Sequence, residues 1–433
     1  MAKNSLGYTE KDAKKFKKYS WLALLGFSIL YAFLYNGRLN MGLALPMMME
    51  EMGWTKTQVG LLSSVLFWTY GFGHLINGRL GEVFGPKKII LTGLLLSAGA
   101  NVIISFQSSL VLIGILWGLN GYFQSMLWSP GISLITKWWP SHKRGFATGF
   151  ANGFSGVAQI IVWFSVLQAV SAFPDLGWRG AFRIPIVPMV AMGIVYWIMV
   201  RARPSEVGLK EYEEDEETKE QEAELQKIVV EKGKLYPFIH LFSQWRFVIW
   251  CCIIAISSIA RYGLLTWIPT YYVQVLNMNV KSGILKSVLL PVGMALGTFI
   301  VPWASDKFGK KGRLPAVVIC AVVSSVSVFL FPSFKTIQSA SIGLFIAGFF
   351  VYAINGVVWA YSTDVGGRVF AGTAAGVLDW SAYMGAALQA IIFGRILDKT
   401  GNWNILFTSI AVICVLMMVL ALIANKTTDK AKA

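Results

Sequence analysis

The sequence predicts an all-α integral membrane protein of twelve transmembrane helices, arranged as two pseudo-symmetric six-helix halves. Three observations predict it. Hydrophobic residues make up 55% of the chain and charged ones only 14%, with a mean hydropathy of +0.59, so a water-soluble domain has too little polar surface to cover such a core. The apolar residues gather in stretches near the about 20 helical residues that cross a hydrocarbon layer about 30 Å thick. One long polar segment, residues 201–245, divides the chain into two parts with matching features.

In order, the predicted spans are Trp21–Pro46, Val59–Gly81, Ile89–Phe106, Leu110–Trp138, Gly145–Ala172, Ile184–Val200, Phe247–Val273, Ile284–Ala304, Leu314–Phe331, Ile342–Tyr361, Ala371–Gly394 and Ile405–Ala424. Residues 1–20 form a polar N-terminal segment, 21–200 the first half, 201–245 the linker, 246–424 the second half and 425–433 a tail. An even number of spans puts both termini on one side. Segments on that side, beginning with Lys3, Lys11, Lys14, Lys15, Lys17 and Lys18, hold 28 of the 38 Lys and Arg, against 8 on the other, so the termini are expected in the cytoplasm. The same bias explains the net charge of +16 through loops resting on anionic headgroups, so the lipid bilayer and not nucleic acid is the expected partner. The lysine-rich start has no short apolar run before a small-residue cleavage site, so no removable signal peptide is expected.

The two parts repeat one another. Arg38 and Pro46 recur as Arg261 and Pro269 at an offset of 223, and Gly60-Leu-Leu-Ser-Ser-Val65 precedes Gly283-Ile-Leu-Lys-Ser-Val288 by the same interval. Gly78, Arg79, Glu82 and Gly85 follow the second span, and Asp306 and Gly309 follow the eighth in a second copy of the motif. An acid at a helix end with cations beside it can form an ion-pair latch between neighbouring helices.

Ionisable residues inside the spans carry the functional signal. Arg38 lies about seventeen residues after Trp21 and Arg261 about fourteen after Phe247, which places both near mid-membrane. A guanidinium left unpaired there costs between about 3 and more than about 10 kcal/mol, and arginine cannot shed its proton to escape. Asp379 is the one acid deep in a predicted span, too few to neutralise both. Two planar forks related by the repeat suit a phosphate dianion, because each can donate parallel hydrogen bonds to its oxygens. Tyr31 and Tyr35 share the helical face of Arg38 by i, i+4, i+7 spacing. His74, Gln124, Trp128, Asn152, Asn355 and Tyr383 complete the candidate lining of a polar cavity, and Asp379 and His74 are candidates for carrying a proton. Cys251, Cys252, Cys320 and Cys414 sit in apolar stretches without metal-ligand spacing, so they are expected to pack, and no metal or other cofactor is expected.

The halves, the linker and the loop motif resemble the major facilitator superfamily. Within it, Arg261-Tyr-Gly-Leu-Leu-Thr-Trp-Ile-Pro-Thr-Tyr271, Tyr70-Gly-Phe-Gly-His-Leu-Ile-Asn-Gly78, Trp138-Trp139 and Ala371-Gly-Thr-Ala-Ala-Gly376 resemble the organophosphate:phosphate antiporters, the bacterial glycerol-3-phosphate and hexose-phosphate carriers among them. The resemblance implies that Arg261 and Arg38 contact phosphate and that Tyr31, Tyr35 and Tyr383 line the site. His74 stands where the glycerol-3-phosphate carriers have lysine, Ser155 where they have histidine, and Thr266 and Pro291 where they have acids. The resemblance therefore carries the substrate class and not a single substrate. It implies a monomeric secondary transporter that exchanges a small organophosphate for inorganic phosphate by alternating access. A proton- or sodium-coupled symporter of another small organic anion, a carboxylate or sulfonate, is the alternative, and a membrane sugar-phosphate sensor is another. No nucleophile with a base, no phosphate-cradling glycine loop and no metal cluster points to an enzyme.

Overall fold

The computed structural model describes residues 8–211, 216–233, 235–306, 310–334, 336–365 and 367–426, and all of their regular structure is helical. Eleven segments are long and apolar enough to cross a membrane: Glu10–Met52, Pro86–Ile104, Leu110–Trp138, Phe146–Ala172, Pro174–Met199, Trp245–Gln274, Val280–Ser305, Leu314–Ser333, Gln338–Asn355, Gly376–Thr400 and Trp403–Ala424. The 29-residue helix Lys56–Phe84 is the second span in chain order and completes twelve. It carries no Asp, Glu, Lys or Arg from 57 to 78, and at about 1.5 Å per residue it exceeds the hydrocarbon thickness. Twelve crossings place both chain ends on one face, the terminal face.

Helix starts follow local chemistry. The first helix begins at Glu10 and not at Trp21, because Thr9 caps it by accepting from the Asp12 amide, and Tyr8, Phe16 and Ser20 are buried. Phe16 packs 5.6 Å from the Trp138 ring, and the Ser20 hydroxyl donates to the Trp138 carbonyl at 2.9 Å, while Lys11, Lys14 and Lys15 stay off the packed face. Gly85, at φ 90°, makes the turn between Lys56–Phe84 and Pro86–Ile104, a conformation that side chains with a Cβ rarely adopt. Cys251, Cys320 and Cys414 are buried as expected of packing residues, but Cys252 is exposed on the seventh span, because it follows Cys251 on a helix whose outer face meets lipid.

The two halves meet along the second and eleventh, fifth and eighth, and first and seventh spans. Glycines permit the approach: a Cβ on Gly156 would lie 2.8 Å from the Ala295 Cα across the interface. On the face opposite the termini, the Asp398 carboxylate accepts from the backbone amides of Lys56, at 2.9 Å, and Thr57, at 2.6 Å. An acid of the eleventh span thus caps the second, favoured also by the positive end of that helix. Asp398→Asn weakens this tie between the halves. Spin labels at Gln107 and Asn404, one in each half on that face, are expected to show a larger population at long separation in the variant. An unchanged distance distribution would refute a latching role.

Candidate functional site

The first span does not run straight through. Its helix ends at Leu34, a 3-10 turn covers Tyr35–Gly37, and a new helix runs over Asn40–Met52. Carbonyls freed by such a break in a membrane need donors from the protein. Here the Gln124 amide donates to the Leu34 carbonyl at 3.1 Å, and the Asn120 and Asn101 amides donate to that of Gly37 at 2.7 and 3.1 Å. Ser97 donates to Asn120 at 2.6 Å, and Asn40 donates to Asn101 at 3.0 Å, closing the network. A Cβ on Gly37 would sit 2.7 Å from Gln124 Nε2 and 2.9 Å from Ser97 Oγ, so a larger residue there would displace this network.

Arg38 leaves the chain at this break, at φ −136°, and its side chain is held by aromatic faces. The guanidinium carbon is 3.9 Å from the Tyr35 ring centre and 4.7 Å from that of Tyr70. Arg261 lies inside the unbroken seventh helix, Trp245–Gln274, 3.8 Å from the Tyr352 ring and 4.7 Å from Tyr262. The internal repeat therefore holds for the two cations but not for the backbone that carries them. Arg38 is 5% exposed and Arg261 6%, and in each the Nε and Nη2 atoms are buried without an acceptor. Among the described residues, no carboxylate lies within ion-pair distance of either.

A chain of rings joins the two cations. Tyr383 lies 4.4 Å from Tyr70 and 6.4 Å from Tyr262, and Phe67 lies 4.7 Å from Tyr262. Tyr35, Tyr262 and Tyr383 are in electrostatic reach of both guanidiniums. A cavity of about 30 Å³ between Arg38, Ser63, Phe67, Trp163, Tyr262 and Thr266 has room for a water or two.

The remaining candidates divide into two groups. Tyr31 and Tyr35 share their face, with hydroxyls 3.1 Å apart, and the Trp128 ring lies tilted 5.0 Å from that of Tyr31. His74 approaches Asp379 at 3.7 Å and Ser129 at 2.9 Å, with its ring against Tyr70 and Tyr383. Tyr31, Tyr35, His74 and Tyr383 adjoin Arg38, and Trp128 reaches it only through Tyr31. Gln124 instead spends its amide on the helix break, an engagement that sequence spacing does not reveal. Asn152 and Asn355 flank the site less directly: Asn152 is one turn from Ser155, whose hydroxyl is 3.1 Å from that of Tyr352, and Asn355 is one turn from Tyr352 itself. In the loop motif Gly78 lies on the helix Lys56–Phe84 and Gly85 follows it, whereas Gly309 and the side chains of Arg79, Glu82 and Asp306 lie outside the described residues.

Sequence reasoning did not single out Tyr262 and Tyr352 beside Arg261, or the Asn101–Asn120–Ser97 network. Tyr262 follows Arg261 directly, and Asn101 and Asn120 are amides in otherwise apolar helices, which is the signal that marks them.

The Major Facilitator Superfamily model matches residues 27–390. The chain is 25% identical to a probable hexose phosphate transport protein of Chlamydia pneumoniae, over 96% of this chain and 93% of that one. It is 27% identical to a glycerol-3-phosphate transporter of Bacillus subtilis, over 97% and 96%, and 26% identical to a probable sulfoacetate transporter of Cupriavidus necator, over 88% and 87%. A bacterial homolog of the human lysosomal transporter Spinster, solved inward-facing and unoccupied, superposes with a TM-score of 0.78 over 96% of this chain and 98% of that one, at 17% identity. With twelve spans in two halves and a family match over most of its length, the chain is a multi-pass membrane transporter and belongs to the Major Facilitator Superfamily.

Proposed function

We propose that this protein exchanges a small organophosphate, of the sugar-phosphate or glycerol-3-phosphate type, for inorganic phosphate by alternating access. The observation that carries the proposal is the pair of buried arginines, one from each half, whose unpartnered N–H groups adjoin a shared set of tyrosines. An anion between them satisfies both forks, and its binding draws the halves together. An empty carrier would have to close over two unpaired guanidiniums, at a cost of several kcal/mol by the order of magnitude for buried ions, about 3 or more. That difference favours exchange over release without a return load. The relatives named for hexose phosphate and glycerol-3-phosphate support the class. The bias of Lys and Arg supports termini in the cytoplasm, and so transport across a cytoplasmic membrane.

A second reading, transport of another small organic anion, draws on the relative named for sulfoacetate and on the His74–Asp379 pair as a proton carrier. Vesicles reconstituted with the protein and loaded with labelled phosphate decide between them. Efflux stimulated by external glycerol-3-phosphate or hexose phosphate, and not by sulfoacetate, supports the proposal. Efflux that no external phosphate compound stimulates overturns it.

Tyr352 adds a testable part. Its ring covers the Arg261 guanidinium and its hydroxyl meets Ser155 of the other half. Tyr352→Phe keeps the ring and removes the hydroxyl, so phosphate affinity is expected to fall by no more than about fivefold, the worth of one neutral hydrogen bond of about 1 kcal/mol. Tyr352→Ala also removes the cation–π face, and is expected to cost about tenfold more. Equal losses in the two variants would contradict the stacking role.

A further inference from the structure

The linker between the halves ends in a short helix, Tyr236–Ser243, which packs against the eleventh span, Gly367–Thr400, and the seventh. Pro237 and Leu241 form its buried side. At about 100° per residue, the other positions of this helix and its two flanking residues sort by chemistry. Tyr236, His240, Ser243 and Gln244 fall on one polar arc, and Leu235, Phe238, Ile239 and Phe242 on an apolar one. The polar arc is joined together: Gln244 Nε2 and His240 Nε2 lie 3.0 Å apart, and Lys232 Nζ donates to the Tyr236 hydroxyl at 3.3 Å. The apolar arc is uncovered, with Leu235 70% exposed, Ile239 64% and Phe242 46%.

A contiguous apolar patch of this kind marks an interaction surface, and what adjoins it identifies the occupant. The next helix, Trp245–Gln274, is the seventh span, and the chain turns at Gln244, at φ −86° and ψ 97°, so the two helices do not run on as one. The Phe242 ring meets that of Phe247 edge-on at 6.3 Å, which makes the apolar arc continuous with the start of the span. Trp245, exposed at that start, is a residue type that gathers at the membrane–water boundary. Laid across the membrane surface with its buried side on the spans, the helix turns its polar arc to water and its apolar arc to lipid. The other end of the linker belongs to the first half: the Tyr8 hydroxyl donates to the Lys210 carbonyl at 2.6 Å, and Lys15 Nζ to that of Val207 at 2.5 Å.

We propose that Tyr236–Ser243 is an in-plane membrane anchor, whose Leu235, Phe238, Ile239 and Phe242 sink into the leaflet on the terminal face. Their depth is about 5–10 Å into the boundary between headgroups and acyl chains, as for other amphipathic helices that lie on a bilayer. The lipid surface is held through apolar area, so the contact forms on uncharged headgroups as well as anionic ones. The anchor fixes the end of the linker and the adjoining eleventh span at one depth, while the start of the linker travels with the first half. It does not depend on which cargo the protein carries.

The test is nitroxide accessibility along the helix, in the full-length protein held in phosphatidylcholine nanodiscs. Cys252→Ser first removes the exposed thiol, since Cys251, Cys320 and Cys414 are buried. Single cysteines then replace Leu235, Ile239 and Phe242 on the apolar arc, and His240 and Ser243 on the polar one, each carrying a spin label. Oxygen concentrates in the bilayer and a nickel chelate in water, so the ratio of their collision rates reports which medium surrounds a label. That ratio is expected to be severalfold higher at Leu235, Ile239 and Phe242 than at His240 and Ser243. Should a label at one apolar position unfold the chain, the other two carry the comparison. Nickel-chelate access as free on the apolar arc as on the polar one places the stripe in water and overturns the proposal. Exclusion of both probes from the apolar arc shows that protein covers it, a second copy of this chain or another, and overturns it equally.

Discussion

Replacing Arg38 or Arg261 by lysine is expected nearly to abolish the proposed phosphate exchange while leaving membrane insertion and thermal stability close to wild type. Lysine keeps the charge, so the result isolates geometry. Each arginine offers the cargo two buried donors without acceptors, Nε and Nη2, in a fixed plane. A lysine ammonium offers a point charge on a flexible stem, and it cannot stack on the rings that now hold the guanidiniums at 3.9 Å from Tyr35 and 3.8 Å from Tyr352. Each charge-assisted hydrogen bond lost costs about 1.5–3 kcal/mol, about ten- to hundredfold in affinity, and the gripping of an anion that drives closure weakens by the same factor. Exchange in vesicles and melting of the purified variants are the measurements. Full exchange in either lysine variant would remove that arginine from the site.

The second large effect lies away from the cargo. Asn101→Leu combined with Asn120→Leu leaves the Gly37 carbonyl with neither of its donors, at 3.1 and 2.7 Å in the native chain, and strips Ser97 of its acceptor. A buried carbonyl left unsatisfied costs about 1–3 kcal/mol, and no water is at hand within a membrane to repair it. The turn at Tyr35–Gly37 then has reason to reseal as continuous helix, which rotates Arg38 away from Tyr70. Both melting temperature and exchange are expected to fall, in contrast to the lysine variants, in which exchange alone falls. Wild-type melting in the double variant would show that the break is held by something other than these amides.

Much of this architecture is readable from residues. Apolar length locates the spans because hydrocarbon thickness fixes how many residues a crossing needs, and the offset between Arg38 and Arg261 locates the halves. The cost of a buried guanidinium singles out the same two residues without reference to any fold. Other features depend on partners distant in sequence. Helical spacing assumes an unbroken first span, yet the structure breaks it three residues before Arg38, because Asn101, Asn120 and Gln124 arrive from other helices to take up the free carbonyls. Asp379 and His74 each stand out as an ionisable group in an apolar stretch, but their pairing depends on how the second span meets the eleventh. The helix from Glu10 to Trp21 is polar in composition and owes its order to Trp138, far along the chain.

Binding of inorganic phosphate to the full-length protein in lipid nanodiscs tests the central claim most directly. Wild-type protein is expected to bind one phosphate per chain, with Arg38→Lys and Arg261→Lys each weakening it at least about tenfold, the loss of one charge-assisted hydrogen bond. Wild-type affinity in either variant would contradict a site gripped from both halves.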